Sequence, residues 1–519
     1  MRWSLIAAPL AALILAAAGT ASAAPVRTEG GLVEGAAEGG LTVYKGVPFA
    51  AAPINSLRWR APRTVVPWQD VKQTTAFALP CAQGGAAPSA EDCLYLNVWT
   101  PAAKAGARLP VMVWIYGGAM AVGATSDPRF DGASLAKRGV VVVSIAYRVG
   151  ALGFLAHPDL TREGGGKGVG TYGLMDQIAG LQWIKRNIAA FGGDPGRVTI
   201  FGQSAGGQSV SMLAGSPRAK GLFQRAISQS GGSFSPAKAA GEGGQYIPTI
   251  ATAERTGVAL MARLNVSGIP EARKLPVADI LKITGNARGT YWPVMDGYVL
   301  TGDQYEAYAA HRYNDVPVLI GTNADEGALT PKPASAAAYL TTTRNAYGDY
   351  ADRILAAYPA TEAAYQRSAQ DIFREGTFAW HTWAWANLQS RAGRGKVFAY
   401  YFEHVPPWPD QPAYKDRGAA HGAEVPYVFG TFDKQPEMTY RPIDRAVSET
   451  MQAYWVNFAR TGDPNGPGLP TWPAYSEGRP QVMHFADKPT LGGVANLDKL
   501  KVLDGYFAWR RAQMATRKP

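Results

Sequence analysis

The chain has 519 residues, of which 47% are hydrophobic and 18% are charged, and its formal net charge is +11. This composition excludes a disordered chain, because it supplies enough apolar surface for a large core. The positive charges are spread along the sequence without a basic run, so the net charge does not indicate a nucleic-acid-binding protein.

The N-terminal segment has the pattern of a secretory signal peptide. Arg2 supplies a positive charge, Leu5–Ala18 is apolar apart from one proline, and Ala21-Ser22-Ala23 is a small-residue cleavage site. The apolar run is shorter than the roughly 20 residues that a membrane-spanning helix needs. We therefore predict that residues 1–23 are removed and that residues 24–519 form a single domain. We expect that domain to be secreted or periplasmic, without a membrane span.

The chain has two cysteines, Cys81 and Cys93. An even number of cysteines in an exported chain suggests a disulfide bond. Two cysteines without a nearby histidine do not make a zinc site. We therefore predict a disulfide bond and no zinc site at these cysteines.

Apolar runs typical of buried strands alternate with longer helical patterns along the chain. The predicted strands are Val111–Tyr116, Val140–Tyr147, Val198–Phe201, Val316–Ile320, Val397–Phe402 and Val482–Phe485. The predicted helices are Leu174–Ile188, Gly207–Ala214, Ser448–Arg460 and Leu497–Met514, with a helical insertion over about Pro248–Thr290. Before them, Gly31–Gly46 predicts a small antiparallel hairpin. The alternation predicts a large, mostly parallel sheet that is covered by helices.

A glycine-rich segment follows the first of these strands. Gly117, Gly118 and Ala119 come directly after Val111–Tyr116, at the carboxyl end of a predicted buried strand. Glycine lets the backbone come close to a substrate, and the N–H groups there can donate to a developing negative charge.

The sequence Gly202-Gln203-Ser204-Ala205-Gly206 is a G-x-S-x-G motif between a predicted strand and a predicted helix. In that context the motif is typical of the turn that presents the nucleophilic serine of an α/β-hydrolase. Ser204 is therefore the candidate nucleophile, and the N–H group of Ala205 is a further candidate oxyanion donor.

A serine nucleophile needs a base and an acid, which in this fold follow the serine in the order acid, then histidine. The chain has six histidines: His157, His311, His381, His404, His421 and His484. We favour His421 because small residues surround it in a predicted loop. For the acid, Asp325 and Glu326 both follow the strand Val316–Ile320, and spacing alone leaves both open.

Several segments together resemble the type-B carboxylesterase and lipase family, which includes the cholinesterases. The resemblance covers nearly the whole mature chain and rests on the serine motif and on Tyr44–Ala50, Glu91–Val98, Asn187–Pro195 and Phe458–Pro464. It implies an α/β-hydrolase fold without a cofactor. One departure is Gln203, where many members of the family have a glutamate.

The resemblance also assigns roles to individual residues. It implies a catalytic triad of Ser204, Glu326 and His421. It further implies an oxyanion hole of Gly118, Ala119 and Ala205 beside Gly117, a supporting role for Ser230, and a Cys81–Cys93 disulfide.

We therefore expect a serine hydrolase that cleaves small-molecule carboxylic esters through an acyl-enzyme. A lipase or an amidase would use the same triad, and a non-catalytic binding protein is an alternative that the intact triad disfavours. We expect no nucleic-acid partner. The sequence leaves the natural ester and the oligomeric state open.

Overall fold

The computed structural model describes residues 24–238 and 246–516. Residues 1–23, where the signal peptide is predicted, lie outside this range. In chain order, the strands are β1 (Val26–Arg27), β2 (Leu32–Glu34), β3 (Ala36–Glu38), β4 (Leu41–Pro48), β5 (Lys72–Gln73), β6 (Tyr95–Thr100), β7 (Leu109–Ile115), β8 (Val141–Ile145), β9 (Gly193–Gln203), β10 (Arg225–Gln229), β11 (Val318–Asn323), β12 (Val397–Phe402), β13 (Val482–Phe485) and β14 (Pro489–Gly492).

The helices surround the strands and form an insertion between β10 and β11. They are α1 (Ala133–Ala136), α2 (Gly150–Phe154), α3 (Pro158–Glu163), α4 (Tyr172–Asn187), α5 (Ala205–Gly215), α6 (Ile250–Arg263), α7 (Ile269–Ala272), α8 (Val277–Thr284), α9 (Gln304–Ala309), α10 (Ala336–Tyr347), α11 (Ala351–Ala357), α12 (Tyr365–Arg374), α13 (Trp380–Ala392), α14 (Val425–Phe429), α15 (Pro442–Thr461) and α16 (Leu497–Thr516). A π-helical turn, Glu375–Ala379, joins α12 to α13. In the described ranges, no helix combines the length and the apolar character required to cross a membrane.

Eleven strands form one sheet in the order β14-β13-β12-β11-β10-β9-β7-β8-β6-β4-β3. Its middle, from β13 to β8, is parallel, and the strands at both edges pair antiparallel. Because the middle strands are parallel, their carboxyl ends lie along one edge of the sheet, which is where open α/β sheets bind ligands. The predicted α/β architecture is confirmed.

Most predicted elements are present, some with different bounds. The strands β12 and β13 have the predicted bounds, whereas β9 is longer than the predicted Val198–Phe201. The predicted hairpin is the pair β3–β4, and it forms an edge of the large sheet. The strands β6 and β10 were not predicted.

A cluster of aromatic rings connects the sheet to the helix that follows His421. The ring of Trp114, on β7, lies 4.9 Å from Phe201 on β9 and 4.8 Å from Phe429 on α14, measured between ring centroids. All three side chains are fully buried. Buried aromatic pairs at such distances contribute to stability beyond their buried area. Because Phe429 is the last residue of α14, the cluster holds the end of this short helix, which directly follows the His421 loop, against the sheet.

Candidate active site

Ser204 lies in the tight turn between β9 and α5. Its backbone has φ 58° and ψ −127°, a strained conformation for a residue with a side chain. The Ser204 N–H donates to the carbonyl of Gln229 on β10 at 2.9 Å, which holds the turn in place. Such a turn lifts the serine hydroxyl above the edge of the sheet.

The two flanking glycines of the motif allow this turn to form. A Cβ at Gly206 would lie 2.0 Å from the carbonyl oxygen of Ile115 on β7, and one at Gly202 would lie 2.6 Å from the carbonyl carbon of Gly206. Both distances are too short for real atoms. Any larger residue at either position would push α5 away from the sheet.

The segment Gly117–Ala119 lies directly against Ser204. A Cβ added at Gly117 would be 2.9 Å from the Cβ of Ser204. Gly118 and Ala119 both have positive φ, 119° and 57°. Within the described part of the chain, their N–H groups donate to no protein acceptor. Ala205 is the first residue of α5, and the first N–H groups of a helix have no partner inside it. All three N–H groups can therefore receive an anion beside Ser204.

The loop closed by the two cysteines supports this segment. The predicted Cys81–Cys93 disulfide is present. Gln83, inside the loop, donates from its amide nitrogen to the carbonyl of Gly123 at 2.9 Å and accepts from the Gly123 N–H at 2.8 Å. The disulfide-closed loop is therefore tied to the end of the segment that begins at Gly117.

His421 and Glu326 form a contact through the inner nitrogen of the imidazole. The His421 Nδ1 lies 2.5 Å from the Glu326 Oε2, and the Glu326 carboxylate is buried. Its other oxygen accepts from the Asn323 N–H at 2.8 Å and from the hydroxyl of Ser230. A carboxylate held by these donors keeps the ring in one orientation and one tautomer.

Asp325, the alternative acid, faces away from the histidine. Its carboxylate lies 3.4 Å from the guanidinium of Arg367 and accepts from the Ala419 N–H at 3.0 Å. The structure therefore brings Glu326, and not Asp325, to His421.

The outer nitrogen of His421 faces the end of β9. The His421 Nε2 lies 3.2 Å from the side-chain amide nitrogen of Gln203, the residue directly before Ser204. With Nδ1 donating to Glu326, Nε2 carries a lone pair and can accept a proton. The Gln203 amide can donate to this lone pair, so Nε2 is the basic nitrogen of the ring and lies next to the serine turn.

Two buried carboxylates, Glu326 and Glu424, raise the pKa of His421. Burial would lower the pKa of His421, but the charge and hydrogen bond of Glu326 and the charge of Glu424 outweigh burial, and its pKa is raised. Burial and the nearby charge of Glu326 in turn raise the pKa of Glu424. Glu424 accepts from Gln229 at 3.0 Å and from Asn323 at 2.6 Å. No local sequence signal indicated Glu424, because its partners come from other strands.

Other histidines have structural surroundings. The Nδ1 of buried His381 accepts from the Phe234 N–H at 3.0 Å, and burial lowers its pKa to about 3. His404 lies between two carboxylates, and His484 lies 2.9 Å from the carbonyl of Gly493. In the described ranges, no group of three or more histidine, cysteine or acidic side chains could hold a metal ion.

Comparison with known proteins finds esterases and a lipase that are similar to this chain over most of its length. The family model described as the carboxylesterase family matches residues 22–502. The chain is 35% identical to the fumonisin B1 esterase of Sphingopyxis macrogoltabida, over 89% of this chain and 86% of the relative. It is 35% identical to the para-nitrobenzyl esterase of Bacillus subtilis (87% and 92%) and 36% identical to the bile salt-activated lipase of Mus musculus (87% and 81%).

Solved structures agree with these relatives. A PNB esterase structure superimposes with a TM-score of 0.79 at 33% identity, covering 92% of this chain and 99% of that one. The predicted α/β-hydrolase fold is thereby confirmed.

Proposed function

Because the chain belongs to the carboxylesterase family and is a carboxylic ester hydrolase, we propose that Ser204 is its nucleophile, His421 its base and Glu326 its acid. The observation that carries this proposal is the His421–Glu326 contact, which leaves the other ring nitrogen facing the serine turn. Ser230 supports the acid by donating to its second oxygen.

The proposed reaction has two steps that share one site. His421 takes the proton of Ser204 as the hydroxyl oxygen attacks the ester carbonyl, and the oxyanion is held by the N–H groups of Gly118, Ala119 and Ala205. His421 then gives the proton to the departing alcohol. In the second step His421 activates a water molecule, which attacks the acyl-enzyme and releases the acid.

The test is hydrolysis of p-nitrophenyl esters from acetate to palmitate by the wild type and by Ser204→Ala. We expect the wild type to hydrolyse these esters and the variant to lose roughly 10⁵- to 10⁶-fold in kcat. Ser209→Ala is the matched control, because Ser209 is a buried serine of α5, the helix that follows Ser204, and its hydroxyl accepts from Gln177. A Ser204→Ala enzyme with wild-type activity would overturn the assignment.

The same panel, extended by the corresponding p-nitroanilides, separates the related functions. An esterase prefers the short acyl chains, whereas a lipase, such as the bile salt-activated relative, would prefer the long chains presented as an emulsion. An amidase with this triad would also hydrolyse the corresponding anilides. A chain that only binds its ligand would hydrolyse none of these compounds.

We also propose that the chain is exported and that the mature protein begins at Ala24. The signal pattern of residues 1–23 supports this, and so does the Cys81–Cys93 disulfide, since such bonds persist in oxidising compartments. Mass spectrometry of the protein from the culture medium or periplasm tests the start site.

A further inference from the structure

An aromatic ring lies flat against the histidine of the proposed triad. The centroids of the Phe378 and His421 rings are 4.5 Å apart and the ring planes differ by 19°. Phe378 is buried, with 3% of its surface exposed. Glu326 and Gln203 contact the two nitrogens at the edge of the imidazole, so Phe378 supplies the contact on its face.

The backbone around Phe378 has an unusual form. Phe378 lies in the π-helical turn Glu375–Ala379, where the Trp380 N–H donates to the carbonyl of Glu375, five residues earlier. A π-turn contains one more residue than an α-turn, so it changes the direction of every side chain after it, and such turns are frequent at functional sites. Here the turn directs Phe378 toward His421.

Buried polar contacts stabilise this π-turn. Arg374 and Glu375, at its start, form a buried ion pair. The ring of His381, just after the turn, accepts from the N–H of Phe234 at 3.0 Å. These contacts hold both ends of the turn, so the position of Phe378 is fixed by its surroundings.

The same helical segment also touches the loop that carries the acid. The Arg374 guanidinium donates to the carbonyl of Ala324 at 3.0 Å, and a Cβ at Gly327 would lie 2.1 Å from the carbonyl oxygen of Gln370 on α12. One segment, residues 365–392, therefore contacts the residues on both sides of Glu326 and stacks a ring on His421.

We propose that Phe378 is a positioning residue for the base of this esterase, an inference that rests on the proposed triad. Its ring fixes the rotation of the His421 imidazole, so that Nε2 stays beside Gln203 and the serine turn. Its negative face also stabilises the imidazolium that forms when Ser204 gives up its proton. The charged groups near the imidazole are Glu326 and Glu424 from the loops, while Arg374 and Glu375 of the segment neutralise each other.

The experiment measures kcat, KM and the pH dependence of kcat/KM on p-nitrophenyl acetate for Phe378→Leu. We expect kcat to fall roughly 10- to 100-fold with KM changed less than about 3-fold, because small errors in the placement of a catalytic group are costly. We also expect the midpoint of the acidic limb to move down by roughly 0.4–1.5 pH units, because the imidazolium loses the stabilising ring.

A second variant keeps the shape of the side chain if leucine disturbs folding. Phe378→pentafluorophenylalanine reverses the charge distribution of the ring at nearly the same volume, so it should move the acidic limb in the same direction. The matched control is Phe398→Leu, because Phe398 is equally buried and packs against Phe458 and Trp472. It should keep the wild-type kcat and acidic limb.

The proposal is overturned if folded Phe378→Leu keeps the wild-type kcat, or if the pentafluorinated variant leaves the acidic limb in place. His421→Ala, assayed alongside, separates this failure from a failure of the triad. If His421→Ala keeps its activity, the triad itself is wrong. If it is inactive while both Phe378 variants behave as wild type, only the positioning role is wrong.

Discussion

His421 and His404 each contact a buried carboxylate, but His404 also contacts a second, exposed one. His421 contacts one, Glu326, through Nδ1, and its Nε2 faces the neutral amide of Gln203. His404 contacts two, with Nε2 2.7 Å from Asp444 and Nδ1 2.8 Å from Asp487. The side chain of His404 is fully buried, whereas that of His421 is 24% exposed.

The number of carboxylates in contact with the ring is one difference between the reactive histidine, His421, and the structural one, His404. A ring with a carboxylate at each nitrogen has both nitrogens in hydrogen-bond contact, so it acts as a bridge between two elements. A ring with an acid on one side keeps a basic nitrogen for a substrate or a nucleophile. The number of acids alone, however, does not distinguish the two roles; the second nitrogen must also face an open site.

The largest expected effect comes from removing the reactive ring. We expect His421→Ala to lower kcat/KM for p-nitrophenyl acetate by roughly 10⁵- to 10⁶-fold, because Ser204 then has no base. Circular dichroism should show a folded protein with a lower unfolding midpoint, because the buried Glu326 carboxylate loses His421 but keeps the Asn323 N–H and the Ser230 hydroxyl. A loss smaller than about 10-fold would contradict the role of His421 and remove the basis of the comparison.

Removing the single acid is the next test. We expect Glu326→Gln to lower kcat by roughly 10⁴-fold, because an amide no longer holds the ring in the reactive tautomer. Asp325→Asn is the matched control from the adjacent position. Its carboxylate faces Arg367 and the Ala419 N–H, so the variant should keep kcat within about 3-fold. Equal losses in the two variants would show that the structure identifies the wrong acid.

The strand pattern of the sequence predicted most of the sheet but missed β10, which directly supports the nucleophile. The strands β12 and β13 were predicted with their observed bounds because they are short apolar runs. In β10, Ser228 and Gln229 are polar and buried. Ser228 donates to the Gly207 carbonyl, and Gln229 binds Glu424 and accepts from the Ser204 N–H. Ser228 and Gln229 support the site, and because they are polar they interrupt the apolar pattern that predicts a buried strand.

Replacing His404, the structural histidine, should lower the stability of the protein without changing its catalytic activity. Burial would raise the pKa of Asp444, but hydrogen bonds from Arg441 and His404 hold it well below its ordinary value, so this buried carboxylate is ionised. We expect His404→Ala to lower the free energy of unfolding by about 1.5–3 kcal/mol, because the buried Asp444 carboxylate loses one hydrogen-bond donor while Arg441 and Tyr427 keep theirs. Activity per folded molecule should stay close to wild type.

Urea unfolding and active-site titration together check this prediction. His484→Ala is the control, because that ring is partly exposed and its carboxylate neighbour, Glu403 at 3.5 Å, is exposed as well, and we expect a change of about 1 kcal/mol or less. If His404→Ala unfolds like the wild type, or if it folds well but is inactive, the assignment of His404 as a structural residue is wrong.

The site itself was predictable only where its signal was local. Ser204 was found because strand, turn and helix are adjacent in sequence. Glu326 could not be separated from Asp325 by spacing, since side-chain direction after a strand depends on the loop, and only the family resemblance favoured it. Phe378 and Glu424 gave no signal, because a π-turn and contacts between strands are products of the folded chain.

The smallest expected effect is a shift in the pH at which protonation of His421 halves kcat/KM. Only neutral His421 can accept the Ser204 proton, so kcat/KM falls as the pH decreases through its pKa. Although burial lowers that pKa, Glu326 and Glu424 together raise it above the ordinary 6.5, so the midpoint of the acidic limb should lie above pH 6.5.

His404→Ala should keep this midpoint, whereas Glu424→Gln should move it down, because the variant removes a negative charge that raises the pKa of His421. Profiles of p-nitrophenyl acetate hydrolysis between about pH 5 and 9 measure all three. A wild-type midpoint at or below 6.5 would mean that burial outweighs the two carboxylates, and that His421 is less strongly paired than its 2.5 Å contact with Glu326 indicates.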